Sequence, residues 1–168
     1  MNTDMLYPEI VIVGCGNPAY ADDGFGPAVA EELSRLLLPE NVKIVDAGLC
    51  GPRFIFPLLD PTVTRKLIII DSMDFGAKPG MITLLRPGDF PEGRIRDSHT
   101  NGILGSLGQI NPEIEVIIIG CQPHAITSIE IAPGLSEDVM TAVPRAVRIA
   151  LDLIHVRNCT PCKPAGYR

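Results

Sequence analysis

Three side chains, at well-separated points of the sequence, have the chemistry to bind a divalent metal ion. Asp23 follows a glycine-rich segment, Asp71 follows an apolar segment, and His99 lies in a long polar segment. Two carboxylates and one imidazole suit a borderline ion such as Zn²⁺, Ni²⁺ or Fe²⁺, and they are too few and too nitrogenous for a calcium site. Each residue also has a simpler explanation, as a turn or helix cap or as a surface histidine. Their spacing in the sequence does not show that they meet.

The glycine-rich segment begins Gly14-Cys15-Gly16, which is typical of a dinucleotide site, but its other features argue against one. The third glycine is not at the expected spacing. Asp22 and Asp23 stand at the helix start, where a pyrophosphate would have to lie, and two carboxylates repel phosphate. They favour a cation, or they form an N-cap aspartate beside a solvated one that complements the helix dipole.

Two more polar residues follow apolar segments. Asp46 precedes Ala47-Gly48 and either lines the same cleft or caps a turn, and His124 is a weaker candidate. The backbone amides around 48–51 are potential oxyanion donors. The sequence contains no Gly-x-Ser-x-Gly elbow, no Walker A loop and no His-Glu-x-x-His motif, which disfavours a serine hydrolase or a P-loop enzyme.

Four of the five cysteines call for an interpretation. Cys15 and Cys50 are potential nucleophiles, although the tight turn that holds Cys15 simply needs a small residue. Cys159 and Cys162 form one Cys-x-x-Cys pair, which is half of a structural zinc site or two exposed thiols.

Short apolar segments alternate with longer amphipathic ones, a pattern that predicts a three-layer α/β/α sandwich with a mostly parallel, about five-stranded twisted sheet. Strands are predicted at 9–14, 42–46, 66–71, 81–85 and 115–120, long helices at 22–38 and 136–156, and short helices at 52–59 and 103–110. The connection before the fourth strand is too short for a helical crossover, so that strand is predicted to be antiparallel and at an edge.

This architecture makes a prediction about the site, because ligands bind beyond the carboxyl ends of parallel strands. Asp23, Asp46 and Asp71 are all expected at that edge. The polar segment at 86–100 reaches ~40 Å when extended, which is enough to bring His99 to the same edge.

The composition of the chain disfavours further classes of function and partner. The chain has 168 residues, 46% of them hydrophobic, and a net charge of −6. It is predicted to form one domain at 1–156 with a mobile tail at 157–168. An acidic chain with few aromatics disfavours nucleic-acid and anionic-membrane partners. The chain has no apolar run of ~20 residues and no signal-like start, which together predict a cytoplasmic protein with free thiols.

Taken in order, these motifs resemble one family, the maturation endopeptidases of nickel–iron hydrogenases. The matching pieces are Gly14-x-Gly16-Asn17-x-x-x-x-Asp22-Asp23-Gly24-x-Gly26, Asp46-Ala47-Gly48, Ile70-Asp71-Ser72-Met73-Asp74-Phe75-Gly76 and Ser98-His99-x-x-Gly102. The resemblance covers about 9–154. The variant at 47–51 is similar to the group that serves deazaflavin-reducing hydrogenases of methanogenic archaea.

The resemblance implies an endopeptidase that removes the C-terminal extension of the hydrogenase large-subunit precursor after nickel insertion. It implies that Asp23, Asp71 and His99 are the catalytic and metal-contacting residues, and that they recognise nickel held by the precursor's cysteines. Position 23 is Glu in many members, so the shorter Asp23 changes the reach of this ligand. The nickel would belong to the precursor and need not be retained by the free enzyme.

Two mechanisms remain open at this stage. The metal polarises the scissile carbonyl or activates water, or it serves as an anchor while Asp23 or Asp71 acts as general base. Three alternative functions also remain: a non-catalytic nickel-dependent docking chaperone, a Rossmann-like nucleotide-binding module, and a general peptidase on the same fold.

Overall fold

The computed structural model describes residues 7–48, 55–89, 107–124 and 131–155. Five strands form one sheet, in the order β2-β1-β3-β5-β4. Their bounds are β1 Ile10–Cys15, β2 Val42–Gly48, β3 Lys66–Ser72, β4 Ile82–Leu85 and β5 Glu115–Cys121. The first, second, third and fifth strands are parallel, whereas β4 runs antiparallel to β5 at the edge. The predicted fold class and the antiparallel edge strand are confirmed.

The central strands form because their apolar residues are buried on both faces of the sheet. In β3 every residue from Lys66 to Ser72 is buried, and in β1 every residue from Ile10 to Cys15 is buried. Continuous runs of Ile and Val are typical of such two-sided burial in parallel sheets. One apolar cluster lies under the helices, and a second lies on the opposite face against 55–59 and 107–110.

Two helices cover the first face: α1, Phe25–Ser34, and α2, Glu137–His155. The single helix predicted at 22–38 is wrong at both ends, because a separate 3₁₀ helix, Ala21–Gly24, precedes α1 and the helix stops at Ser34. Leu37 is fully exposed, so the apolar spacing that suggested a longer helix does not correspond to a buried face.

Helix α2 lies within one residue of the predicted bounds and contains Pro144. Of the helix predicted at 52–59, the described part contains a 3₁₀ helix at Phe56–Leu58. Half of the helix predicted at 103–110, most of the polar segment at 86–100 and the tail at 157–168 lie outside the described residues. In the described ranges, no helix is long and apolar enough to cross a membrane.

Gly26 explains how α1 approaches the sheet. A Cβ at this position would overlap the carbonyl oxygens of Cys15 and Ile70, at the ends of β1 and β3. Only glycine lets the helix start pack directly on these strands. This close packing fixes the preceding 3₁₀ helix, which carries both aspartates, at the carboxyl edge of the sheet.

Candidate active site

The parallel strands place the two predicted carboxylates at one edge. Ile70 is opposite Gly14 in the β1–β3 register, and Asp71 is opposite Gly120 in the β3–β5 register. Asp71 therefore lies where β1, β3 and β5 end together. The 3₁₀ helix that contains Asp23 contacts β3 at this same edge.

Asp23 is 2% exposed. The backbone N–H of Asn17 donates a hydrogen bond to its Oδ2 atom over 2.8 Å. The segment between the two residues is the glycine-rich turn, which folds back so that its own backbone holds the carboxylate. A carboxylate held in this way has one fixed orientation, as a metal ligand or a general base needs.

Asp71 is also 2% exposed, at the end of β3. The backbone N–H of Ser72 donates to its Oδ1 atom over 2.8 Å. Two buried carboxylates thus come from two segments that contact each other, and fully buried acids are rare in folded proteins. A carboxylate side chain can bind a cation or accept a proton from water.

Asp22 has a task that the sequence did not indicate. It is 1% exposed, and its carboxylate accepts hydrogen bonds from His124 N at 2.7 Å, from Ser136 N at 2.7 Å and from Ser136 Oγ at 3.0 Å. The alternative of an N-cap aspartate beside a solvated one is therefore wrong, because both aspartates are buried and Gly24 occupies the N-cap position of α1. Asp22 instead joins three segments.

Gln122, directly after β5, is a second polar residue that the sequence analysis missed. It is 6% exposed. Its Oε1 atom accepts hydrogen bonds from Phe75 N and Ala77 N, and its Nε2 atom donates to Asp74 Oδ1 at 3.1 Å. Gln122 thus holds the loop that follows Asp71. The available signal was its place two residues after the predicted strand at 115–120.

Asp46 lies near the same edge but is exposed. It occurs where the β1–β2 register shifts, and its Oδ1 atom accepts a hydrogen bond from Gly48 N. The Gly48 amide is therefore already engaged, which argues against it as an oxyanion donor. Asp46 also lines a cavity of about 440 Å³, together with Pro18 and Ala21 of the aspartate segment.

The other candidates differ in their surroundings. The His124 side chain is exposed, and the contact of this residue with Asp22 is made by its backbone. Cys15 is buried at the end of β1, as expected for a small residue in a tight turn. Burial raises the pKa of the Cys121 thiol to about 12; the Asp22 carboxylate adds to this shift and Arg145 opposes it.

Several predicted residues cannot be located. His99, Cys50, Cys159 and Cys162 lie outside the described residues, so their roles stay predictions. Within the described ranges, no group of three or more His, Cys, Asp or Glu side chains could hold a metal ion.

Comparison with known proteins gives a consistent result. The family model for hydrogenase maturation proteases (HycI) matches residues 27–153. The chain is 37% identical over 152 residues to the coenzyme F420 hydrogenase subunit delta of Methanothermobacter thermautotrophicus, covering 88% of this chain and 96% of that one. It is 31% identical over 118 residues to the hydrogenase 3 maturation protease of Escherichia coli, covering 69% and 74%.

A solved structure has the same fold. The hydrogenase maturating endopeptidase HybD from E. coli superimposes with a TM-score of 0.72 at 23% identity, over 87% of this chain and 91% of that one. At this identity the likeness shows the fold, and the family assignment depends on the sequence matches.

Proposed function

The chain belongs to the hydrogenase maturation protease family, and from this premise we propose that it removes the C-terminal extension of a nickel–iron hydrogenase large-subunit precursor. We further propose that it recognises nickel bound to that precursor through Asp23, Asp71 and His99. The observation that carries the proposal is the pair of buried carboxylates, Asp23 and Asp71, on two contacting segments at the carboxyl edge.

The donor set fits this substrate. Carboxylate oxygens and an imidazole bind nickel less selectively than thiolates do, so the precursor's cysteines supply the soft ligands and this chain completes the coordination. Burial strengthens the attraction between Asp23, Asp71 and the cation because the surrounding dielectric is low. This protein would therefore recognise the nickel-loaded precursor and not the nickel-free one, because its ligands need the nickel ion that the precursor carries.

Cleavage follows from positioning. Once the nickel is shared, the scissile peptide is held in the cleft, and proximity lowers the barrier by removing the entropy cost of encounter. One of the two carboxylates would accept a proton from the attacking water and pass it to the leaving amine as the peptide bond breaks, while the other would contact the nickel of the precursor. The cavity of about 440 Å³ beside the aspartate segment offers space for the residues flanking the scissile bond.

The experiment is an intact-mass measurement on purified large-subunit precursor, nickel-loaded and nickel-free, after incubation with this protein. We expect loss of a C-terminal peptide in the loaded sample alone. We expect Asp23→Asn and Asp71→Asn to slow cleavage by about 100-fold or more, as for loss of a general base or a metal contact. The matched control is Asp152→Asn, because Asp152 is exposed near the end of α2.

The other outcomes decide against the proposal in different ways. Loss of the peptide from both precursors would exclude nickel as the recognition element and favour a general peptidase. Stable binding to the loaded precursor without any loss of mass would favour a docking chaperone. Equal rates for the two site variants and Asp152→Asn would exclude the two carboxylates from the reaction.

A further inference from the structure

The segment that follows β5, Gln122–His124, contacts both of the segments that carry the buried acids. Gln122 binds the loop after Asp71, and His124 binds Asp22, the neighbour of Asp23. This segment contains no proposed nickel contact of its own. It therefore connects the segment that carries Asp23 to the segment that carries Asp71 without contributing a metal ligand.

The Gln122 side chain uses its hydrogen-bonding groups almost fully. Its Oε1 atom accepts from Phe75 N at 2.9 Å and from Ala77 N at 3.1 Å. Its Nε2 atom donates to Asp74 Oδ1 at 3.1 Å and to Pro123 O at 3.3 Å. A primary amide offers two donors and one double acceptor, so these four partners match Gln in both number and polarity.

Asp22 makes the other connection. One carboxylate oxygen accepts from Ser136 N, and the other accepts from His124 N and from Ser136 Oγ. The two backbone donors, His124 N and Ser136 N, lie on either side of residues 125–130. A buried carboxylate with three donors is satisfied without any metal, so Asp22 is not needed as a ligand.

We propose that Asp22 and Gln122 are positioning residues that set the relative placement of Asp23 and Asp71. This inference rests on the proposed function, because it assigns these residues to the same nickel-recognition site. Asp22 fixes the 3₁₀ helix against the segment after β5, and Gln122 fixes the loop after β3 against that same segment. The segment Gln122–His124 therefore holds both acid-bearing segments in one relative position.

Conservative substitutions of these two residues change the polarity of the side chain and leave its size the same. In Asp22→Asn, the amide NH₂ must face a backbone N–H, of either His124 or Ser136, so two donors oppose each other. In Gln122→Glu, one oxygen still accepts from the loop amides, but the other faces the Asp74 carboxylate. Both variants keep the shape of the side chain while breaking the connection.

The first measurement is backbone amide exchange by NMR on the isolated full chain. Asn17 N–H donates to Asp23, and Ser72 N–H donates to Asp71, so these amides report the two acids directly. We expect exchange at least about tenfold faster at Asn17 in Asp22→Asn and at Ser72 in Gln122→Glu, which is a change of about 1.4 kcal/mol in opening free energy.

The second measurement is the ratio of affinities for nickel-loaded and nickel-free precursor. We expect each variant to reduce this ratio about tenfold, because misplaced acids weaken only the nickel-dependent part of binding. The matched control is Lys66→Met, since Lys66 is also a buried polar residue that joins β3 to α2, but at the opposite edge of the sheet. It should lower the melting temperature and leave the ratio unchanged.

These measurements distinguish the failure of the two proposals. Unchanged exchange at Asn17 and Ser72, or the same affinity ratio for the variants as for Lys66→Met, would overturn the positioning role. If the wild-type chain did not distinguish loaded from nickel-free precursor, the proposed function would fail, while the exchange rates would still decide whether Asp22 and Gln122 hold the two acids.

Discussion

At the level of single residues, Asp22 and Asp23 show how two identical neighbours acquire different tasks. Asp22 binds donors that lie 102 and 114 residues further along the chain, at His124 and Ser136. Asp23 is held locally, by Asn17 in its own turn. The first aspartate thus serves the architecture, and the second is the one that we assign to the proposed site.

Gly16 provides a residue-level prediction. Its φ is +122°, and a Cβ there would overlap the carbonyl oxygen of Asp23. We expect Gly16→Ala to lower the free energy of unfolding by about 3 kcal/mol, because backbone strain and overlap add together. Urea denaturation followed by circular dichroism measures this change.

The control for this prediction is Gly76→Ala. Gly76 also has a positive φ, +75°, but no atom lies within 4 Å of its ideal Cβ. Only the conformational strain should appear, at about 1 kcal/mol. Equal losses in the two variants would contradict the importance of the contact between Gly16 and Asp23.

At the level of elements, α2 is joined to the rest of the molecule at both of its ends. Ser136, just before its first residue, binds Asp22. Near its last residue, Leu153 O accepts a hydrogen bond from Lys66 Nζ at 2.8 Å. A cation at a helix C-terminus is favoured by the helix dipole. The helix is thus fixed near the carboxyl ends of the parallel strands through Ser136, and near their amino-terminal ends through Leu153.

The corresponding prediction concerns Lys66. It is 6% exposed and also lies 3.5 Å from Glu115 Oε2. We expect Lys66→Met to lower the free energy of unfolding by about 2 kcal/mol, because a buried carbonyl loses its charged donor. Urea denaturation tests this, with the exposed Lys43→Met in β2 as control. A loss as small as that of Lys43→Met would show that α2 needs no such connection.

At the level of the whole molecule, the sheet separates two apolar clusters. The candidate site lies beyond both clusters, at the carboxyl ends of the central strands. Cys121 belongs to the cluster under the helices and is 0% exposed. Its thiol is close enough to Asp22 for that carboxylate to oppose its ionisation. Folding stability and the ionisation of this buried thiol are therefore coupled.

This coupling predicts a dependence of stability on pH. Burial raises the pKa of the Cys121 thiol from 9.0 to about 12, so the folded state keeps a proton that the unfolded state loses. The unfolding free energy should therefore fall between about pH 9 and about pH 12, by up to about 1.4 kcal/mol per pH unit from this group. Below that interval, the group should contribute no pH dependence.

Urea denaturation at several pH values measures this dependence, with Cys121→Ala as the control that lacks the thiol. The wild-type curve should be steeper than that of the variant above about pH 9. The two slopes are compared, because the smaller side chain lowers stability equally at every pH. Parallel curves would contradict the coupling.

By itself, the sequence determined the strands, their order along the chain, the antiparallel edge strand, the position of Asp71 at the end of a strand and the position of Asp23 just before the first long helix. These features follow from hydrophobic periodicity and from glycine and proline, which act over a few neighbouring residues. The bounds of α1 did not follow, because Leu37 continues the apolar spacing but is exposed.

Only the tertiary structure decided which polar side chains join segments that are far apart in the sequence. Asp22, Gln122, Ser136 and Lys66 bind partners that are tens of residues away, and such hydrogen bonds leave no period in the sequence. The position of His99 stays a prediction from the sequence. Local patterns thus specify the elements, whereas hydrogen bonds between distant segments fix how the elements and loops are arranged around the end of the sheet.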